Sequence, residues 1–288
     1  MHNYNRKRKM DTREGCSKMF RVVAYNHTAT AALADTTTTL DPVDAEPDPH
    51  VHVEGDNIYV PGDTLELIGF LGWTGSLTAT ETAVATRMQL QAPSMGILKD
   101  IPLFQIPAAA AADDEEPDAP TLLNLWLNNP LRLVPGEGLQ LLVAESVAGD
   151  DRQATGIVLL GDGNYKNPFG RAPIHTVRFT AAIAATAYNW VNGAITLSQS
   201  LPVGRYAVVG MHVISASGIA ARLVIPGQGA RPGCIAYDSI EDIPNPVFRN
   251  GNLGIWGYFH SQTPPTLDMF CRTTDTAQEG WLDLVKVE

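Results

Sequence analysis

The sequence predicts an all-β chain made of two antiparallel β-sandwiches in tandem, with short helices only in the loops. Each half contains about eight short segments of strand-forming residues, Gly-, Pro- and Asn-rich turns separate them, and long amphipathic helices are almost absent. Sandwiches of eight strands are most simply jelly rolls, so the predicted fold is a double jelly roll. A Greek-key sandwich of immunoglobulin type stays open, because periodicity does not determine topology.

Two stretches of the second half repeat the first half in the same order. Ile195–Met211 matches Ile58–Phe70, since each is a short extended run, a turn with Pro and Gly, and an apolar run. Leu267–Val287 matches Leu139–Leu160, since each is an apolar strand, a polar turn with Asp and Gln, and a second apolar strand. Ordered matches at similar spacing are what a duplicated domain leaves in a sequence.

This repeat divides the 288 residues into four parts. We predict a flexible basic N-terminal arm at 1–18 and a first sandwich at 19–160. A stretch rich in Gly, Pro and Asn at 161–173 is the predicted linker, and residues 174–288 form the second sandwich. A chain of this length can bury a substantial core without disulfides.

In the first half, runs of apolar and β-branched residues between turn signals predict the strands. They are Phe20–Tyr25, His50–Val53, Ile58–Val60, Thr64–Phe70, Ala85–Ala92, Ile97–Ile106, Leu122–Leu127, Leu131–Val134, Leu139–Glu145 and Thr155–Leu160.

The second half gives a similar series, with two local exceptions. Asn192-Gly193 predicts a hairpin turn ahead of Ala194–Ser198. Ile235, Ile240 and Ile243 lie at loosely helical spacing, so Cys234–Ile243 is predicted to be a short helix. The predicted strands are Ile174–Ala187, Ala194–Ser198, Arg205–Ser215, Ile219–Ile225, Leu253–His260, Thr266–Arg272 and Gly280–Val287.

Charge is distributed unevenly along the chain. The net charge is −11, yet seven of the 20 Lys and Arg residues lie in the first 21 positions. A negative folded surface repels phosphate, so only the arm is expected to reach nucleic acid or anionic lipid. Acids instead fill two predicted loops, Ala29–Pro49 and Pro107–Pro120. The candidate assembly residues of the arm are Arg6, Lys7, Arg8, Lys9 and Arg13, and those of the second acidic loop are Asp113, Asp114, Glu115 and Glu116.

Candidate chemistry is sparse. His50 and His52, with acids nearby, could hold a divalent metal, but a solvated strand face at the end of an acidic loop is the favoured interpretation. Gly161–Asn164 resembles a fragment of a calcium loop without its later acids. Asp283 and Glu288, or the acids at 113–116, could supply paired carboxylates for glycoside hydrolysis. We find no catalytic motif and expect no enzymatic activity, no cofactor, no bound metal and no small-molecule substrate.

Cysteine and aromatic usage also suits a structural role. Three widely spaced cysteines predict neither a zinc site nor a disulfide framework. The start of the chain has no apolar segment typical of a secretory signal, so we expect folding in the cytoplasm. The aromatic residues in or beside strands are expected to fill the cores, although a platform for stacking sugars is an alternative. They are Trp126, Trp190, Trp256, Tyr258, Phe259 and Trp281.

The repeat, the Thr- and Pro-rich loops, the short helix predicted at Cys234–Ile243 and the basic arm together resemble the double jelly-roll major capsid proteins of tailless icosahedral viruses. This resemblance covers the whole chain and concerns its architecture. It implies homotrimeric, pseudo-hexagonal capsomers that contact neighbouring capsomers and penton or minor capsid proteins. It also implies that the acidic loops lie at capsomer tops or subunit contacts and that the arm points inward, toward an internal membrane or the genome. The protein would then be located in the virion. A carbohydrate- or receptor-binding β-sandwich is the alternative, and a glycan hydrolase is the third.

Overall fold

A computed structural model describes residues 20–28, 38–39, 41–43, 51–62, 64, 66–76, 85–95, 99–104, 123–125, 127–128, 130–145, 152–163, 165, 169, 172–237 and 246–288. In this part of the chain there are 20 strands and two short 3-10 helices, Pro93–Met95 and Pro246–Phe248. None of the helices described is long and apolar enough to cross a membrane. The prediction of an all-β chain with several sheets is confirmed.

The first half contributes twelve of these strands. They are β1 (Arg21–Thr28), β2 (Thr38–Thr39), β3 (Asp41–Pro42), β4 (His52–Glu54), β5 (Asn57–Tyr59), β6 (Glu66–Ser76), β7 (Ala85–Gln91), β8 (Lys99–Phe104), β9 (Leu123–Leu125), β10 (Leu131–Arg132), β11 (Gly138–Glu145) and β12 (Arg152–Gly161).

The second half contributes the remaining eight. They are β13 (His175–Ala181), β14 (Trp190–Leu197), β15 (Arg205–Ser215), β16 (Gly218–Val224), β17 (Gly233–Ile235), β18 (Gly257–His260), β19 (Thr266–Cys271) and β20 (Gln278–Lys286).

The strands form three antiparallel sheets. Sheet I has the order β10-β6-β12-β1-β3, with β9 also paired to β6, and sheet II has the order β4-β5-β11-β7-β8, with β2 also paired to β11. Sheet III has the order β17-β16-β19-β14-β13-β20-β15-β18. Among the described residues, each ladder joins strands of the same half.

Sheets I and II enclose the core of the first half. Val23 and Tyr25 of β1 point into this core and are fully buried, together with Leu139 and Leu141 of β11. The Tyr25 hydroxyl crosses the core and donates to the Leu139 carbonyl at 2.7 Å. Alternation along the strands therefore places every second side chain of β1 between the two sheets.

Sheet III folds over on itself. Its middle strands, β13 and β14, share three residue pairs, from Phe179 with Leu197 to Ala181 with Ile195. Buried residues from both four-stranded parts of the sheet belong to one core cluster; examples are Phe179 of β13 and Leu267 of β19. The two four-stranded parts of the sheet therefore face each other across the second core.

The other face of sheet I is also buried. Val22 and Ala24 of β1 and Ile157 of β12 have no exposed surface and join the core cluster of the second half. A sheet covered on both faces needs apolar side chains at consecutive positions. This explains the continuous apolar sequence of β1 and β12, which does not alternate.

The two halves match in detail. Each half has a β-bulge at the same place. In β6, Ile68 is an extra residue opposite the step from Leu159 to Leu160 of β12. In β15, Val209 is an extra residue opposite the step from Asp283 to Leu284 of β20. Each β-bulge is followed by a glycine and then by a buried apolar residue, Phe70 or Met211. These two residues end the first pair of sequence matches.

A second correspondence lies in the turns. In the first half, Val60 N donates to Glu137 O at 2.9 Å and Gly136 N donates to Val60 O at 2.8 Å, which joins the turn after β5 to the turn after β10. In the second half, Ser261 N donates to Gly204 O at 3.0 Å, which joins the turn after β14 to the turn after β18.

Two local predictions are wrong. Asn192 and Gly193 lie inside β14 and form no hairpin turn, because the Asn192 amide bonds to Asp268 on the neighbouring strand and Gly193 leaves room for Ile183. The start of the predicted helix at Cys234 is instead strand β17, which pairs with β16. Residues 238–245 of that prediction lie outside the described residues.

Candidate functional site

The most extensive polar arrangement in the described residues lies where the two halves meet. Val22 N of β1 donates to the carbonyl of Arg231 at 3.1 Å, and the guanidinium of Arg222 donates to the Val22 carbonyl at 3.2 Å. Nearby, the rings of Phe20 and Trp256 pack with centroids 5.6 Å apart. We call this contact the junction. The junction uses the backbone N–H and carbonyl of Val22. Three residues further along β1, at Tyr25, the strand begins to pair with β3.

A buried carboxylate organises the second-half side of the junction. Asp268 of β19 accepts from Arg222 Nε at 2.8 Å, from Arg231 Nη1 at 2.7 Å and from Asn192 Nδ2 at 2.7 Å. The side chains of Arg222 and Asp268 are 0% and 2% exposed. Buried charges are tolerated when they are paired and hydrogen-bonded, so this cluster requires that the junction stay closed.

Sequence reasoning missed this cluster. Its signal is a single arginine in the otherwise apolar strand GIAARLV and a single aspartate in TLDMFC. A charge inside a buried strand needs a partner, yet only the register of β16 against β19 shows that Arg222 and Asp268 lie directly opposite. The Arg222 guanidinium also lies 4.0 Å from the ring centre of Trp190.

A second buried carboxylate lies on the outer face of β20. Asp283 has no exposed surface and accepts from Arg249 Nε at 2.7 Å, Arg249 Nη2 at 2.9 Å, Asn250 N at 2.9 Å and Thr176 Oγ1 at 2.8 Å. Burial raises the pKa of Asp283, but the hydrogen bonds from Arg249, Asn250 and Thr176 outweigh it and hold the pKa below its usual value. This carboxylate fastens residues 246–256 to the sheet.

His212 lies beside that carboxylate, between two aromatic rings. Its ring stacks on Tyr237 with centroids 5.2 Å apart and contacts Trp281 at 5.5 Å. Burial, and then the charge of Arg249, lower its pKa to about 4, while Asp283 acts in the opposite direction. His212 is therefore a neutral core residue near pH 7.

The candidate assembly residues of the arm lie outside the described residues, as do the acids of the second loop. They are Arg6, Lys7, Arg8, Lys9 and Arg13 of the arm, and Asp113, Asp114, Glu115 and Glu116 of the loop. Flanking strands nevertheless locate where these segments attach. Thr28 of β1 pairs with Gln153, next to the Ser76–Arg152 pair, and Phe104 of β8 pairs with Ala85 of β7.

Those pairings place the strand ends that border 29–37, 77–84 and 105–122 at one end of the first half. The described chain begins at Phe20, at the other end, where Arg21 pairs with Leu160. The basic arm therefore attaches at one end of the first sandwich, and the second acidic loop attaches at the opposite end. The first predicted loop, Ala29–Pro49, instead contains strands β2 and β3, and β3 pairs with β1 at Tyr25 and Asn26.

The predicted metal candidates are not brought together in the described residues. His52 is exposed, lies 4.0 Å from Glu54 and contacts the Tyr59 ring at 5.2 Å, and His50 is outside the described range. In the described part of the Gly161–Asn164 stretch, Gly163 lies beside Glu66, which accepts from Tyr165 at 2.9 Å. Within the described ranges, no group of three metal-ligating side chains occurs.

Asp283 and Glu288, the candidate carboxylate pair for glycoside hydrolysis, lie in different environments. Asp283 is buried and saturated with donors, whereas Glu288 is exposed and lies 3.9 Å from Arg205. A glycoside-cleaving pair needs two carboxyl groups facing one substrate, and these two have different surroundings.

The aromatic residues mainly serve packing. Trp256 and Phe259 are buried in the second core, and a cation covers one face of two half-buried rings, Arg222 on Trp190 and Arg205 on Tyr258. His212 covers part of the Trp281 ring. Trp126 lies outside the described residues.

The chain matches no protein-family model and no curated protein. Among solved structures it is similar to the crystal structure of the STIV MCP, a viral major capsid protein. That match covers 91% of this chain and 97% of the other, with 10% sequence identity and a TM-score of 0.21. A superposition of this quality carries no argument about fold or function.

Proposed function

We propose that this chain is a self-assembling viral structural protein, a double jelly-roll major capsid subunit that forms homotrimeric, pseudo-hexagonal capsomers of an icosahedral shell. The observation that carries the proposal is the strand order, which is the same in both halves. A jelly roll has eight strands, B to I, in two sheets with the orders B-I-D-G and C-H-E-F.

Both halves fit that scheme. In the first half, β1-β12-β6-β10 has the order B-I-D-G and β5-β11-β7-β8 has the order C-H-E-F. In the second half, β13-β20-β15-β18 and β14-β19-β16-β17 have the same two orders. The sequence repeats fall on corresponding pairs, C–D and H–I. These correspondences support a duplication with sandwiches at 19–160 and 174–288 around a linker at 161–173.

The junction supports a structural role because it makes one wide block of the two sandwiches. Sheet I is covered by sheet II on one face and by the second half on the other, so both of its faces bury apolar side chains. A shell subunit needs such a rigid block with several polar contact sides.

Charge polarity supports an orientation in the shell. The arm attaches at one end of the first sandwich, and the strand ends that border 29–37 and 105–122 lie at the other; residues 105–122 carry five acids and no Lys or Arg. Cationic segments are attracted to phosphate and acidic ones are repelled. In the proposed shell, the arm points inward, toward the genome or an internal membrane, and the acidic loops point outward or toward neighbouring subunits.

The proposed partners are two further copies in the trimer, neighbouring capsomers, and penton or minor capsid proteins. The proposed location is the virion capsid, after assembly in the host cytoplasm. We propose no catalytic activity and no cofactor.

Native mass spectrometry and electron microscopy of the purified full chain test this function. A stable trimer that forms shells or sheets on concentration is the expected result. Deletion of residues 2–18 should keep the melting temperature and impair assembly, because the arm precedes the first strand. A protein that stays monomeric at every concentration and binds glycans would contradict the proposal.

A further inference from the structure

We propose that an exposed stripe on β13 and β20 binds a Gln-bearing stripe on β7 and β11 of a second copy, in the manner in which β1 binds the second half within one chain. The first surface, the charged stripe, consists of Thr176, Arg178, Thr180 and Glu279. The second, the amide stripe, consists of Gln91 and its cross-strand partner Gln140. This inference rests on the proposed function as a shell subunit and identifies the surfaces that join its copies.

Strand register identifies equivalent positions in the two halves. In the first half, Arg21 pairs with Leu160, and Leu160 pairs with Leu67, the residue before the bulge in β6. In the second half, His175 pairs with Leu284, and Leu284 pairs with Val208, the residue before the bulge in β15. Counting from these anchors, Val22 corresponds to Thr176 and Ala24 corresponds to Arg178.

The first-half positions are buried, and their second-half equivalents are exposed to solvent. Val22 and Ala24 are fully buried against the second half, whereas Thr176 and Arg178 are exposed. Arg178 forms an exposed ion pair with Glu279, with Nε and Oε1 2.5 Å apart and side chains 50% and 38% exposed. The outer face of β1 is thus apolar and covered by the second half, whereas the equivalent face of β13 is polar and exposed.

The rest of the outer face is already occupied. Residues 246–256 cover the β15 side of this sheet, fastened by Arg249 to Asp283, and Gly251 N donates to Val209 O. Among the described residues, the β13 side and the adjacent part of β20 are exposed. That open part corresponds to the region of sheet I that makes the junction.

The complementary surface has its own equivalent. If Leu139 and Leu267, matched in the sequence, correspond, the opposed pair Gln140 and Gln91 takes the place of Asp268 and Arg222. The charged pair is permanently buried in the junction, whereas Gln91 is exposed. Neutral amides can donate and accept with water in a free subunit and with a backbone edge after docking, without the desolvation cost of a charge.

A second copy is the occupant that this arrangement favours. In the described part of the chain, the charged stripe and Gln91 of the amide stripe are exposed to solvent, and their equivalents in the other half bind each other within the chain. A contact between different patches of identical chains is heterologous, and repetition of it closes a ring when the rotation divides a full turn. Three chains would then present six sandwiches around one ring.

Cross-linking of the full chain tests the surfaces. In a Cys16→Ser background, where the two remaining cysteines are buried, Thr176→Cys and Gln91→Cys are combined and treated with a short bismaleimide. Val22 and Arg222, the equivalent residues, make a direct contact at the junction. We expect electrophoretic bands to shift from monomer to dimer and trimer in the double variant and not in either single variant.

A matched pair supplies the control. Gln262→Cys replaces Thr176→Cys, because Gln262 is exposed in the turn after β18, three strands away from β13 and the charged stripe. Equal cross-linking of this control pair overturns the proposal. Trimers seen by native mass spectrometry without cross-links through Thr176 and Gln91 also overturn it, while they leave the shell function standing. Absence of any assembly in the uncross-linked protein contradicts the shell function itself.

Discussion

Acidification should destabilise this protein through His212 before it affects the buried carboxylate of Asp283. The ordinary pKa of 6.5 falls to about 4 in the folded state. Between these values the unfolded chain binds a proton that the folded chain excludes. The stability contributed by neutral His212 is thus complete above about pH 6.5 and is lost as the pH falls toward 4. A shift of this size corresponds to about 3 kcal/mol.

The groups around His212 determine the sign. Tyr237 and Trp281 stack on the ring, Arg249 repels a proton on it, and Asp283 attracts one. Asp283 is itself neutralised by the bidentate contact with Arg249, so burial and the guanidinium prevail. Below about pH 4, protonation of Asp283 adds a separate loss, because its pKa is depressed and its stabilisation disappears as the pH falls through that value.

The assay is urea unfolding at a series of pH values for the natural chain and for His212→Phe, which keeps an aromatic ring in the stack and takes no proton. Between about pH 6.5 and pH 4, the natural chain should lose about 3 kcal/mol more stability than the variant. His175→Phe, at an exposed histidine, is the control and should follow the natural chain. If His212→Phe and the natural chain lose stability in parallel, the neutral buried state assigned to His212 is refuted.

Three further predictions concern the junction and the outer face of sheet III. Asp268→Asn leaves two guanidinium groups without their anion and should cost about 3–5 kcal/mol in urea unfolding, whereas Glu279→Gln at the exposed ion pair should leave the midpoint unchanged. Gly210→Ala would place a Cβ 2.7 Å from the carboxylate that fastens residues 246–256 and should cost about 1–3 kcal/mol. Gly62→Ala, which meets nothing within 4 Å, should be neutral, and an equal loss in both glycine variants would argue against crowding. A fragment of residues 1–165 should aggregate, because the outer face of sheet I loses its cover; a soluble monomer with native-like circular dichroism would contradict the junction.

Much of the fold could be predicted from sequence because alternation and turn chemistry are local. Arg205–Ser215 coincides with β15, and the strands predicted around Leu139 and Thr266 lie within two residues of those observed. The repeat was readable because both halves need the same turn and the same apolar run after it. The matched ends, Phe70 and Met211, occupy equivalent positions after equivalent bulges.

Tertiary structure decided the features in which local signals compete with distant partners. Asn192-Gly193 has the composition of a hairpin turn, yet the carboxylate of Asp268 holds Asn192 in a strand. The isoleucines after Cys234 are compatible with a helix, yet pairing with β16 makes a strand of Gly233–Ile235. In both cases a contact from far along the chain outweighs a weak local preference.

By itself the sequence determined the all-β class and the basic start of a negatively charged chain, and it predicted two related halves, because composition, spacing and charge are properties of the sequence. Only the tertiary structure decided which faces are covered. Apolar residues at consecutive positions of β1 are explained by the second half, and the buried pair Arg222 and Asp268 is explained by the junction. Side chains separated by many residues become neighbours only through strand register, which no short stretch of sequence specifies.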